Sequence, residues 1–516
     1  MLRSLFRKSS PQINSTCVQL SHLFSTKNLG GNDTDSVPNL SVKTDTPQEK
    51  LMKCFKRDKE LLKRKLTFWK NWSNPTINDK GKVLDWDSPH SPIFSNYCDV
   101  VIIGGGAMGI STAYWLQVFC RNSLNIIVIE KDPTYKSASS VLSVGGVRQQ
   151  FSLEENIEMS LFGAEFIRNA NKYLGILGEP VVDLQFHPYG YLSLATEDKV
   201  DILKKNSKLQ NSKGAKNVLL TKNQLKDKFP WLTTDDIELG CLGLEKEGWF
   251  DPWLLVTALK RKAISMGVEF VIAEAKGFNF KVNNNITISG INNENYEELG
   301  YLIVQTEDGN LRPIHFSKCV IAAGAFSGQV AKMARIGYGE NTLSVPLPVE
   351  PRKRYVYCFH APDGPGLNTP MTIDPTGVYF RREGLNNHYI CGRCPLDGEE
   401  PSINNLDVDL EFFDNSIWPT LAHRVKAFEN LKVKSSWAGY YEYNTFDENG
   451  IIGYHPYYHN LLFATGFSGH GIQQAPAVGR GIAELIIHNE FVAMDLTRLS
   501  FDRFITQEAM RESNIW

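Results

Sequence analysis

The stretch Asp99-Val-Val-Ile-Ile-Gly-Gly-Gly-Ala-Met-Gly-Ile110 decides how the rest of the chain is read. Asp99 to Ile103 is an apolar run of strand length, and glycines follow at 104, 106 and 109. The first glycine permits a tight turn, the second a close ligand approach to the backbone, and the third close packing of a helix on its strand. A helix is predicted from Ile110 to about Phe119, and Asn125-Ile-Ile-Val-Ile-Glu130 is a second strand. The helix N-terminus carries partial positive charge and suits a pyrophosphate. Glu130 lies about 20 residues past Gly109, where an acid accepts hydrogen bonds from a ribose. The unit predicts a dinucleotide site built from Gly104, Gly106, Ala107, Met108, Gly109 and Glu130, with Lys131 beside the acid.

The acid does not choose between NAD and FAD. The continuation Ser139-Ser-Val-Leu-Ser-Val-Gly-Gly-Val-Arg148 favours FAD, because Ser139, Ser140, Gly145 and Gly146 are small enough to wrap a cofactor that extends past the first unit. Cys319-Val-Ile-Ala-Ala-Gly324 is a further strand that delivers Ala323 and Gly324 at its end. Near the C-terminus a second glycine loop, Gly466-Phe-Ser-Gly-His-Gly-Ile-Gln473, again runs straight into a helix.

The chain has 516 residues, 42% of them hydrophobic, enough for a large core in two joined domains. A net charge of -2 argues against a nucleic-acid partner. The nine cysteines are scattered, as in a protein with reduced thiols. No apolar run approaches the ~18–20 residues that cross a bilayer, which leaves at most peripheral attachment to a membrane surface. No metal site is expected. Cys391 and Cys394 lie on a predicted strand, where positions i and i+3 face opposite sides, and no second cysteine pair accompanies them. His455 and His459 form no ligand pattern.

Residues 1–30 contain no acid, and Arg3, Arg7, Lys8 and Lys27 lie among Ser, Thr, Leu2, Leu5 and Phe6. That is the composition of a mitochondrial presequence. Residues 31–96 read as a polar linker followed by a basic amphipathic helix, Gln48 to Trp72. From Tyr97 onward cofactor-type and substrate-type segments alternate: 97–185, 238–345 and 446–516 for the first, 186–237 and 346–445 for the second. The second type is marked by short alternating strands such as Tyr355-Val-Tyr-Cys-Phe359, Val378-Tyr-Phe-Arg-Arg382 and Tyr389-Ile-Cys391. Glu399 to about Asn405 reads as a loop, and Val408 to Phe428 as mostly helical.

Gly104–Gly109, Glu130, Gly145–Arg148, Ala322–Gly324 and Gly466–Gly471 occur in one order that resembles the D-amino-acid oxidase superfamily, on the branch of sarcosine oxidase and dimethylglycine dehydrogenase. The resemblance covers about Asp99 to Ile487. It implies an α/β FAD-binding domain, Rossmann-like and of glutathione-reductase type, with an interleaved α+β antiparallel-sheet substrate domain. It also implies that Gly466, Phe467, Ser468, Gly469, His470, Gly471, Ile472 and Gln473 hold the flavin end of the cofactor. Backbone N–H groups and the helix end would face the ring edge where negative charge gathers on reduction. Lys353–Tyr357, Tyr379–Gly384, Trp437–Asp447 and Phe463–Pro476 further resemble a mitochondrial group associated with assembly of respiratory complex I, which implies complex I subunits or assembly intermediates as partners.

Three departures from catalytic members shape the expectations. Ser139 to Gly146 contains no His, and Tyr440 stands where sarcosine oxidases attach FAD through Cys, so FAD is expected to be noncovalent. Phe151 and Gln473 stand where those oxidases hold a substrate carboxylate with Arg and Lys. The strand His388–Cys394 lacks the Lys that promotes reaction with O2. Flavin-facing candidates are Arg148, Tyr355, Arg381, Arg393, Tyr441 and Gln473; Arg382 and Tyr440 are weighed beside them. Two functions stay open. One is a complex I assembly factor on the matrix side of the inner membrane, keeping FAD for folding or a redox step. The other is a matrix dehydrogenase of a small amine or N-methyl amino acid that passes electrons to a flavoprotein.

Overall fold

In the computed structural model the described residues are Met52, 94–287, 295–396 and 398–513. The expected presequence and all of the expected helix at Gln48–Trp72 except Met52 lie outside them.

The opening strand, Tyr97–Ile103, sits in a seven-stranded sheet between Ile126–Glu130 and Leu311–Ile321, parallel to both. Glu269–Thr287 continues the sheet beyond Ile126–Glu130, and Leu461–Thr465 extends it beyond Leu311–Ile321, again in parallel. Asn295–Thr306 pairs antiparallel with its two sequence neighbours, and Ile451–Tyr454 forms an antiparallel edge. Both faces are covered, which explains the unbroken apolar run. Val100, Ile102 and Val128 pack under the helices Ala107–Phe119 and Gly471–His488. Val101, Ile103, Ile127 and Ile129 pack into the opposite layer with Phe463 and Phe501.

Register fixes the site. Ile103 pairs with both Ile129 and Ile321, and Ile321 with Phe463. The carboxyl ends of these strands therefore share one edge, where open α/β sheets bind ligands. The helix Gly471–His488 also crosses close to Ala107–Phe119: a Cβ on Gly479 would lie 2.3 Å from Ser111 Oγ.

The second sheet has eight strands in the order Lys432–Asn444, Val349–His360, His388–Gly392, Tyr379–Glu383, Met371–Ile373, Tyr191–Ala195, Leu239–Gly243 and Asn217–Thr221. All neighbours are antiparallel except Met371–Ile373 beside Tyr191–Ala195. Both sheets belong to one compact unit.

Several elements differ from the sequence expectation. The first helix starts at Ala107, not Ile110, because Gly106 already serves as its N-cap. Ser139–Leu142 forms a helical turn inside the expected loop. Leu239–Gly243, placed in the cofactor-type segment by the boundary at 238, lies inside the eight-stranded sheet. The expected helical stretch from Val408 to Phe428 is present, continuous from Leu410 to Arg424, but it widens at Phe413–Ile417 ahead of Pro419, which offers no N–H.

Candidate functional site

The first glycine loop performs three separate steric tasks. Gly104 has φ +110°, and a Cβ there would lie 2.2 Å from Ala322 O. At Gly109 a Cβ would lie 2.0 Å from Gly104 O, so the helix packs directly on its own loop. Gly106 is different: its Cβ would meet only Ser140 Oγ, at 3.1 Å. Space is left there for a ligand. The helix that follows has no side-chain cap and no acid in its first turn. Ala107 N–H donates to Ser140 Oγ at 3.1 Å, and the helix end presents its positive pole to the cavity.

Glu130 is held where an acid is needed. Its Oε2 accepts from Gly105 N at 2.8 Å and its Oε1 from Asp132 N at 2.8 Å. Burial raises its pKa above the ordinary carboxylate value, and these N–H groups oppose the rise. Lys131 turns outward to Glu274, 3.0 Å away. Ser139 donates to Tyr440 O. Gly145, at φ +70°, passes under Phe250, and Gly146–Val147 pairs with Gly248–Trp249. Ala323 and Gly324 enter a short turn, where Gly324 O accepts from Thr465 Oγ1 at 3.3 Å.

The second loop comes back to the first. Gly466 and Gly469 have φ of +79° and +90°. A Cβ on Gly469 would sit 2.6 Å from the Tyr441 ring, and one on Gly471 would sit 3.0 Å from Met108 Cε. Ser468 N–H donates to Glu442 O at 3.2 Å, and Ser468 Oγ accepts from Asn444 N at 3.0 Å. Phe467 is buried beneath the loop. The helix Gly471–His488 also lacks a side-chain cap.

Gln473 points away from the cavity. Its Oε1 accepts from Arg148 N at 2.7 Å. Arg148 Nη2 donates to His470 Nε2 at 3.0 Å. Burial, reinforced by the Arg148 charge, lowers the His470 pKa to about 3, so the imidazole is neutral and Nε2 accepts. Phe151 stacks its edge on His470 and lies 4.5 Å beneath the Arg148 guanidinium. Gln473 and Arg148 thus tie the loops together.

Between the sheets lies a cavity of about 780 Å³, open mouth included. Ala107, Met108, Ser140, Gly469, Gly471 and Ile472 line it from the cofactor side; Arg354, Val356, Tyr379, Tyr440, Tyr441 and Glu442 line it from the eight-stranded sheet. Tyr441 was expected here. Tyr355 was too, and that expectation is corrected: strand alternation sends Arg354 and Val356 inward, and Tyr355 packs on Phe412 and Tyr357 in the opposite layer. Arg381 donates to Val144 O at 3.0 Å, and Arg393 pairs with Glu399 at 2.6 Å, so neither lines the cavity. Arg382 donates to Pro365 O on the far face. Cys391 is buried and Cys394 exposed.

Sequence reasoning missed Glu442 and Arg354. Glu442 Oε2 accepts from Thr465 Oγ1 and from Gly466 N, both at 3.1 Å, and burial pushes its pKa up to about 7. No periodicity in the sequence marks Glu442, because Tyr440, Tyr441 and Glu442 in succession all reach the cavity. Glu247, equally unforeseen, accepts from Gln149 N at 2.8 Å and Gln150 Nε2 at 2.9 Å behind Arg148; burial takes it to about 7 as well.

The ligand clearance at Gly106, the two uncapped helix ends on one edge and the acid at Glu130 fit a long dinucleotide with a pyrophosphate and a second ring system. They define a dinucleotide-dependent oxidoreductase. The model of the family described as FAD dependent oxidoreductase matches residues 99–485, and the chain belongs to that family. It is 50% identical over 439 residues to FAD-dependent oxidoreductase domain-containing protein 1 of Xenopus laevis, covering 84% of this chain and 88% of that protein. It is 48% identical over 426 residues to the Drosophila melanogaster homolog, covering 82% and 81%. The solved L-proline dehydrogenase of P. horikoshii has a TM-score of 0.66 at 26% identity, covering 81% of this chain and 100% of that one. The cofactor is FAD. When bound, FAD supplies two-electron oxidation; Gly104–Gly109 would hold its pyrophosphate, Glu130 its ribose, and Gly466–Ile472 its flavin end.

Proposed function

We propose that this chain is a mitochondrial FAD flavoprotein that supports assembly of respiratory complex I, retaining FAD for a redox step on its client or for its own folding. The observation that carries the reading is an imbalance. The FAD cradle is complete, while the substrate side has Phe151 and Gln473 where sarcosine oxidases place cations. Among the described residues lining the cavity there is no lysine, which suits an electron acceptor other than O2. The acid-free, basic N-terminus supports import, and the motif resemblance supports complex I intermediates as partners. The test is complementation. Cells lacking the chain should lose assembled complex I on native gels, and wild type should restore it. Normal complex I in such cells refutes the proposal; failure of Gly106→Val to rescue would show that FAD is required.

A second reading is a matrix dehydrogenase of a small amine or N-methyl amino acid. Arg354 in the cavity wall favours it. So does the similarity to an enzyme named L-proline dehydrogenase, whose substrate pairs an amine with a carboxylate. Anaerobic mixing with N-methyl and D-amino acids, followed at the flavin absorbance, decides it: rapid bleaching supports turnover, and no bleaching across the panel rejects it.

A further inference from the structure

Arg354 is the one cation among the described residues lining the cavity. Its side chain is only 9% exposed and its guanidinium lies 5.3 Å from the Tyr441 ring centre. Nη1 and Nη2 each donate to one oxygen of Glu400, at 2.8 and 2.9 Å. This two-pronged arrangement is how arginine recognises a planar carboxylate. A second guanidinium, Arg352, stands 3.5 Å from the same carboxylate.

The two partners are held very differently. Arg354 belongs to a strand buried between neighbours, Lys432–Asn444 and His388–Gly392. Glu400 belongs to an exposed segment, 398–405, with no helix or strand. That segment is fastened by side-chain bonds from Arg393 to Glu399, from Lys353 to Asn405, and from Tyr440 to Ile403 O. The Glu400 side chain keeps 28% of its surface exposed and hangs from a loop, so it can return to water without a strand coming apart. Leaving a buried guanidinium unpaired costs a great deal. The loop carboxylate is therefore exchangeable, provided another anion takes its place.

We propose that Arg354, assisted by Arg352, is the seat for a carboxylate on a small-molecule ligand, and that Glu400 occupies this seat until the ligand displaces it. The anion site would then lie on the eight-stranded sheet rather than at Phe151 and Gln473, neither of which lines the cavity. The inference rests on the second reading above, in which the cavity accepts an amine-type substrate.

The experiment uses the FAD-loaded full chain, with benzoate as the anionic probe and benzyl alcohol as its neutral counterpart, followed by flavin difference spectra. Glu400→Gln should bind benzoate at least about tenfold more tightly than wild type, because the internal competitor is weakened. Arg354→Met, with Arg354→Lys as a milder variant if Met impairs folding, should weaken benzoate at least about tenfold at unchanged FAD content. Benzyl alcohol should not discriminate among them. Equal benzoate binding by wild type and Glu400→Gln, or no benzoate binding by either, overturns the proposal. Amines that bleach the flavin without any Glu400 effect would sink this inference alone. A clear Glu400 effect without bleaching would keep the anion seat and reject amine turnover.

Discussion

Gly106 and Gly109 sit in one loop, and the structure assigns them opposite liabilities. Valine at 106 would project toward Ser140 Oγ, 3.1 Å from the Cβ position, into otherwise open space before the helix N-terminus. Folding should lose about 1 kcal/mol, the ordinary difference between Gly and an apolar residue at an N-cap. The methyls would block the approach of a phosphate to the helix amides. Two charge-assisted hydrogen bonds at about 1.5–3 kcal/mol each amount to roughly 3–6 kcal/mol, or about 10²–10⁴-fold in Kd. Alanine at 109 instead brings its Cβ to 2.0 Å from Gly104 O, a backbone atom that cannot swing aside. Relief requires the helix to move off its strand, costing about 3 kcal/mol or more. Titration of apoprotein with FAD, paired with thermal unfolding of the apo forms, separates the two. Gly106→Val should lose FAD while its apo Tm stays within about 2–4 °C of wild type. Gly109→Ala should lose Tm first. If Gly106→Val binds FAD within tenfold of wild type, the assignment of this clearance to the cofactor is refuted.

Burial raises Glu442 and Glu247 from 4.5 to about 7. Below about pH 4.5 each is protonated both folded and unfolded; between 4.5 and 7 only the folded chain keeps the protons, so their contribution makes apoprotein stability fall as pH rises through that window. Glu442→Gln should flatten the slope, and an unchanged slope would rule Glu442 out as its source. Acid precipitation should release all the flavin into the supernatant, because Tyr440 and Ser139–Gly146 offer no thiol or imidazole; an FAD mass adduct on the chain would contradict this. Arg503→Met should cost about 3–5 kcal/mol in chemical denaturation, since it takes the cation, now 2.7 Å away at Arg503 Nε, from the fully buried Asp447 and leaves its charge to neutral donors from Asn444, Asn449 and Met510. A loss below about 1 kcal/mol would show that the site relaxes or hydrates.

The cofactor half of the molecule was legible because its rules are local. Gly104 turns at φ +110° and Gly109 packs on Gly104 O within the same loop, although Gly104 also abuts Ala322 O and Gly106 faces Ser140 from a distance in sequence, and an apolar strand announces that both its faces are covered. The substrate half obeys distant neighbours. Whether Arg354 or Tyr355 faces the cavity depends on which side of the sheet meets the cofactor domain, and a one-residue error in phase exchanges them. Leu239–Gly243 could not be assigned to its sheet without knowing that Tyr191–Ala195 and Asn217–Thr221 flank it. Gln473 was singled out for its resemblance-based departure from oxidases, but its partner, the Arg148 backbone 325 positions away, is a fact of tertiary structure.

That last bond also bears on how the protein is made. A ribosome releases Gly104 long before Gly471, so the emerging chain carries half a binding site for most of its synthesis. Leu461–Thr465 must insert between Leu311–Ile321 and Ile451–Tyr454 before the second half exists. FAD capture is therefore a terminal event of biogenesis, and a yellow molecule is one whose C-terminal end has found its place. Such pairing across a long chain is slow, and cofactor binding then holds the finished state by mass action. Flavin supply would set how much of the newly made protein survives.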